Sequence, residues 1–182
     1  MLRLTNLANK YQRRTLRPLY AQTQAYPYDA QLDASFDRSV MFDSATPAVA
    51  ASKAAILPGL VASKLAGEVV TLSTSGAGTD RDFGLFANFV GGELSDIPSD
   101  FDRVGVWRGA GGVFEVLAPV FSDAASLSTI AGQEAGAAAN EVYGIANAKG
   151  QLEFSQGASD TEDTARLIKY LSANAIIVEL LV

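Results

Sequence analysis

The sequence predicts a mostly β protein: a small antiparallel β-barrel or sandwich body with an extended N-terminal arm and at most one or two short helices. Three observations carry this. Short β-rich runs recur along residues 56–182, separated by turn signals containing Gly, Pro or Asn. No strand pattern alternates with a long helical one, so a doubly wound α/β fold is not expected. The charge is also divided, because residues 1–28 hold five basic side chains and no acidic one, whereas the rest of the chain holds all 20 carboxylates against nine Lys/Arg.

The arm is read first. Leu4, Leu7 and Tyr11 fall near helical spacing among Lys10, Arg13 and Arg14, which predicts a short helix within Leu2–Arg14 that Pro18 keeps from extending. Residues 17–47 contain Pro18, Pro27 and Pro47, four Asp, and Tyr20, Tyr26, Tyr28, Phe36 and Phe42, with neither a period of 2 nor of 3.6. Such a segment cannot bury much against itself, and its aromatics place it on a surface, its own or a neighbour's. The expected division is therefore an arm of residues 1–48 and a body of residues 49–182. The basic cluster can dock on an acidic protein surface, touch nucleic acid or remain solvated. Docking is favoured, since Leu4, Leu7, Leu16, Leu19 and the tyrosines supply apolar anchors that a solvated tail does not need, while charge steers the approach. Arg3, Lys10, Tyr11, Arg13, Arg14, Arg17 and Tyr20 are the candidate partner-binding residues. The arm is expected to be poorly ordered when free and ordered on its partner. Removing residues 1–28 is expected to weaken binding and leave the body folded.

In the body, Ile56-Leu57-Pro58-Gly59 reads as an apolar pair and a turn, Glu68–Ser73 as a strand, Ser75–Thr79 as a loop, and Phe83–Val90 as a strand ended by Gly91-Gly92. Three hairpins are expected. They are Val104–Arg108 with Val113–Leu117 about Gly109–Gly112, Glu141–Ala146 with Gln151–Ser155 about Asn147–Gly150, and Ala165–Leu171 with Ala175–Val182 about Ser172–Asn174. Between the first two, Ser122–Ala139 is small and polar, a short helix or an ordered loop. Ala175–Val182 is largely apolar with one Glu, which suits a central or interface strand better than an exposed edge.

Composition narrows the function. Hydrophobic residues make up 48% and charged residues 19% of the 182 positions, enough for a real core. The chain has no Cys and no His, which rules out disulfides, thiol nucleophiles, His-based triads and His/Cys metal sites. No enzymatic activity and no cofactor are expected. Gly109–Gly112 is followed by a strand rather than by Lys-Ser/Thr and a helix, so it is not a phosphate loop. Glu93, Asp96, Asp100 and Asp102 could gather a hard cation, but their spacing matches no EF-hand, and a solvated acidic loop is the expectation. Trp107 is either core or an exposed anchor. Nothing beside Lys64, Lys149 or Lys169 marks a Ser-Lys hydrolase. No apolar signal region or membrane-length run is present, and the acidic body would repel phosphate, so neither a membrane nor direct nucleic-acid contact is expected.

Residues 57–182 resemble the head decoration, or capsid cement, proteins of tailed bacteriophages. The likeness lies in Leu57-Pro58-Gly59 ahead of Val69–Ser73, in Phe83–Gly92, in Val104–Arg108 with its glycine turn and Val113–Leu117, and in the closing Ser172–Leu181. It stops before the arm. The resemblance implies a β-tulip-like body and a structural role on the outer surface of a capsid, with the protein made in the host cytoplasm. It also implies that the protein braces neighbouring major capsid protein subunits, commonly as a homotrimer, with no catalytic residues. A carbohydrate- or small-ligand-binding β-module is the alternative reading.

Overall fold

The computed structural model describes residues 15–20, 26–34, 56–73, 82–90, 103–118, 120–122, 142–156 and 163–182. These residues form strands β1 (Leu16–Tyr20), β2 (Tyr26–Leu32), β3 (Val61–Lys64), β4 (Val69–Leu72), β5 (Asp82–Phe86), β6 (Arg103–Arg108), β7 (Val113–Leu117), β8 (Phe121–Ser122), β9 (Val142–Ala146), β10 (Leu152–Gln156), β11 (Ala165–Ser172) and β12 (Ala175–Leu180). Five of them close a barrel in the order β2-β4-β3-β5-β6, and the other seven form a sheet in the order β1-β7-β12-β11-β9-β10-β8. Pairing is antiparallel except for β2 with β4 and β8 with β10.

Alternation builds the sheet. In β12, Ile176, Val178 and Leu180 are buried while Ala175, Ile177 and Glu179 are half-buried, and β7 buries Phe114 and Val116 in the same way. Each such aliphatic or aromatic burial stabilises by roughly 1.5–3 kcal/mol. β12 lies between β11 and β7, so the apolar closing run is a central strand as expected. Its inward side chains join Leu85, Phe86, Phe89 and Val106 of the barrel in one continuous apolar cluster.

Two of the expected hairpins form, β9 with β10 and β11 with β12. The first does not, because β6 belongs to the barrel and β7 to the sheet. The glycine loop between them is a crossover. Its backbone pairs with the chain's end: Gly109 donates its N–H to the Val182 carbonyl, Gly111 donates to Leu180, and Leu180 donates to Gly112. Gly109 and Gly111 take φ values of 99° and 91°, which an L side chain adopts only under strain. Trp107, at the end of the barrel's wall, packs its ring on Phe114 of the sheet with centroids 5.4 Å apart.

Other elements refine the sequence reading. The run 83–90 is a strand only to Phe86, and Val90 instead makes an isolated bridge to Ile56. Barrel closure between β5 and β6 depends on Gly84, since a Cβ there would sit 2.1 Å from the Trp107 carbonyl oxygen. The short helix expected within 2–14, the loop 75–79, the acidic run 93–102 and nearly all of 122–139 lie outside the described residues.

Asp82, half-buried at the start of β5, ties the barrel to the sheet. Its Oδ1 accepts from the Ser73 hydroxyl at 2.7 Å. Its Oδ2 accepts from the Ala146 backbone N–H of β9 at 3.1 Å and from the fully buried Thr164 hydroxyl ahead of β11. Asp82→Ala strands these donors at the junction. It should lower unfolding free energy by about 3 kcal/mol in urea titration, whereas Glu153→Ala on the exposed side of β10 should change it by less than about 0.5 kcal/mol.

Among the described residues, two strands precede residue 48. β1 pairs with β7, and β2 pairs with β6 and β4. Removing residues 1–28 would therefore delete β1 and the first half of β2, so a truncation that spares both sheets must stop at residue 14. Loss of residues 1–28 should lower Tm by about 10 °C or more, and loss of residues 1–14 by only about 2 °C.

Candidate partner-binding surface

The arm joins the body at β1, the edge strand of the seven-stranded sheet. Thr15 and Leu16 are buried there, with Leu16 opposite Val116, so the chain is anchored where the sheet begins. Pro18 suits an edge position, because it has no N–H to offer a further strand. Of the candidate binding residues, Arg17 and Tyr20 lie on β1, whereas Arg3, Lys10, Tyr11, Arg13 and Arg14 lie outside the described residues. Arg17 is exposed and points its guanidinium at Glu115 of β7, 3.5 Å away. Leu19 is exposed on the same strand.

From β1 the sheet's outer face carries an ordered charge pattern. One cross-strand row runs Arg17, Glu115, Ile177, Lys169, and the next runs Val113, Glu179, Arg166, Tyr143. On β7 and β12 these residues alternate with the buried side chains, so Val113, Glu115, Ile177 and Glu179 face away from the core, whereas Tyr143 at the end of the second row is buried. Arg166 donates through Nε to Glu179 Oε2 at 3.1 Å and also through Nη2 to the same oxygen. Ile145, Ile168 and Leu171 add exposed apolar area, the last two on β11, whose pairing with β12 is twice interrupted by bulges. The face thus mixes oriented ion pairs with apolar side chains, a composition suited to a protein contact.

The remaining sequence candidates are dispersed. Lys64 ends β3, Lys149 lies in the β9–β10 turn, and Lys169 lies in β11, so the three lysines share no site. Trp107 is half-buried against the core. On the barrel surface Arg103 bonds to Asp29 at 2.8 Å and approaches Glu68 at 3.6 Å, and the Asp29 hydrogen bond raises its guanidinium further above the ordinary arginine range. Among the described residues no group of three or more carboxylates gathers in the manner of a metal site.

A family model described as phage cement protein matches residues 1–181. The match takes in residues 1–56, which the resemblance seen in the sequence left outside. No curated protein matches the chain.

The two ion pairs of the outer face differ in burial. A double-mutant cycle on Arg166 and Glu179 should give a coupling of about 1–2 kcal/mol, and one on Arg17 and Glu115 less than about 0.5 kcal/mol, as read by urea denaturation.

Proposed function

The chain belongs to the phage cement protein family, and from that premise we propose that it binds the outer surface of a capsid and braces contacts between major capsid protein subunits. A structural, capsid-associated role follows from the family. The outer location, the major capsid protein as direct partner, and assembly as a homotrimer are parts of the proposal. The observation that supports it most is that one family match runs from the basic arm through the whole β body, so arm and body belong to one pattern.

The division of labour follows from the physics. The body offers a sheet face with preset ion pairs. Residues 1–14 carry four basic side chains with Leu and Tyr between them, and β1 fixes their root at a sheet edge. In this reading they act as a tether to a neighbouring subunit. Contacts made by arm and body together raise the effective affinity well beyond either alone, so each can be weak. Any order the arm gains on binding is charged against the contact energy.

The test is cosedimentation with expanded, undecorated capsids across a salt series. The full chain should bind stoichiometrically. The chain lacking residues 1–14 should bind about tenfold or more weakly with a shallower salt dependence. Equal binding by the two chains would remove the tether from this account, and absence of binding by the full chain would remove the capsid-surface role.

A further inference from the structure

We propose that the junction between barrel and sheet contains a binding site for one buried water molecule, formed by the Ser63 hydroxyl and Asp82 Oδ1. Ser63 lies on β3 and is only 2% exposed. Among the described residues, its Oγ is the one buried side-chain polar atom without a hydrogen-bond partner. A buried hydroxyl in that state is unfavourable, and protein interiors satisfy such groups with a protein partner or an ordered water.

Strand register places Ser63 beside the Asp82 carboxylate. Ser63 is paired with Thr71 of β4 on one side and with Asp82 of β5 on the other. Directly paired residues of antiparallel strands stand about 4.5–5.5 Å apart at Cα and point to the same side of the sheet. The barrel order here is β4-β3-β5, so the hydrogen bond from Ser73, just beyond β4, to Asp82 on β5 passes over β3. The Ser73 N–H donates to the Val61 carbonyl, so that bond runs from the level of Val61 to the level of Ser63. It lies on the face that meets the sheet, because Asp82 also accepts from Ala146 and Thr164. The β3–β5 register shifts between Ala62 and Ser63, and such a bulge takes the side chains at this level out of regular pairing.

The chemistry selects water rather than a cation. Asp82 Oδ2 accepts two hydrogen bonds, whereas Oδ1 accepts from Ser73 and keeps a second lone pair. A molecule that accepts from the Ser63 hydroxyl and donates to Oδ1 completes both groups. The half-buried Thr71 shares this face, so its hydroxyl offers a third partner, the usual number for a buried water. A cation is disfavoured, because the Ala146 N–H and the Ser73 and Thr164 hydroxyls already point their protons at the carboxylate.

The test uses the full chain. A crystal structure at a resolution that shows interior waters should place one within hydrogen-bond reach of both Ser63 Oγ and Asp82 Oδ1. In solution, water–amide cross-relaxation should give the Ser63 N–H a cross-peak from a long-lived water. Crystals soaked in rubidium chloride should show no anomalous peak at the site. Ser63→Ala then reads the sign of the hydroxyl's contribution. Removing a hydroxyl that has no partner raises the urea midpoint, whereas removing one that shares a water with Asp82 should lower it by about 0.5 M. The proposal is overturned by a Ser63 hydroxyl bonded directly to a protein atom with no water beside it, by a rubidium peak, or by a midpoint that Ser63→Ala leaves unchanged or raises. The measurements on the unaltered chain decide the matter even if Ser63→Ala does not fold.

Discussion

The attachment of the barrel to the sheet is the constraint on which the rest of the structure depends, and Asp82 is its polar centre. One carboxylate accepts from Ser73 of the barrel, from the Ala146 backbone and from the Thr164 hydroxyl of the sheet side. A buried hydroxyl without an acceptor is expensive, so Thr164 is stable at its fully buried position only while the barrel supplies Asp82. The glycine crossover repeats the logic with backbone groups, as β6 leaves the barrel through a loop whose N–H and C=O groups pair with residues 180–182 of the sheet side. Polar satisfaction at these points and one shared apolar cluster make a single body of two sheets.

The proposed tether would transmit load only from a fixed root, and β1, hydrogen-bonded to β7 and sealed by Leu16, provides one. The outer face beside it carries ion pairs already oriented by strand register. In the proposed contact, such preset pairs would need little rearrangement, which lowers the entropic penalty of association. The proposed bracing role needs no bond chemistry, which is compatible with a chain without Cys or His.

Local pattern was legible in the sequence, and long-range pairing was not. The β9–β10 and β11–β12 hairpins could be read because each turn and its flanking strands are contiguous, and the apolar run of β12 announced a central strand. The crossover could not be read: two β-rich runs about Gly109–Gly112 look the same whether they pair with each other or enter different sheets, and the deciding partners are residues 180–182. β1 and β2 carry prolines and no alternation, so nothing local marks them as strands. Their partners in β6 and β7 lie far along the chain. The same holds for the sites. The basic character of residues 3–17 was visible in composition, but the pairing of Arg17 with Glu115 spans 98 positions. Arg108 was read only as the end of the Val104–Arg108 strand, because the rings it lies against come from β2 and β5.

The claim that barrel and sheet are one unit, with β1 and β2 inside it, is tested most directly by native-state hydrogen exchange of the free full chain, resolved to peptides by mass spectrometry. Peptides from β1, β2, β5 and β12 should open together, with one free energy and one dependence on denaturant. Exchange of β2 and β5 in a separate, lower-energy step, or early opening of β1 and β2 while β12 stays protected, would contradict the account.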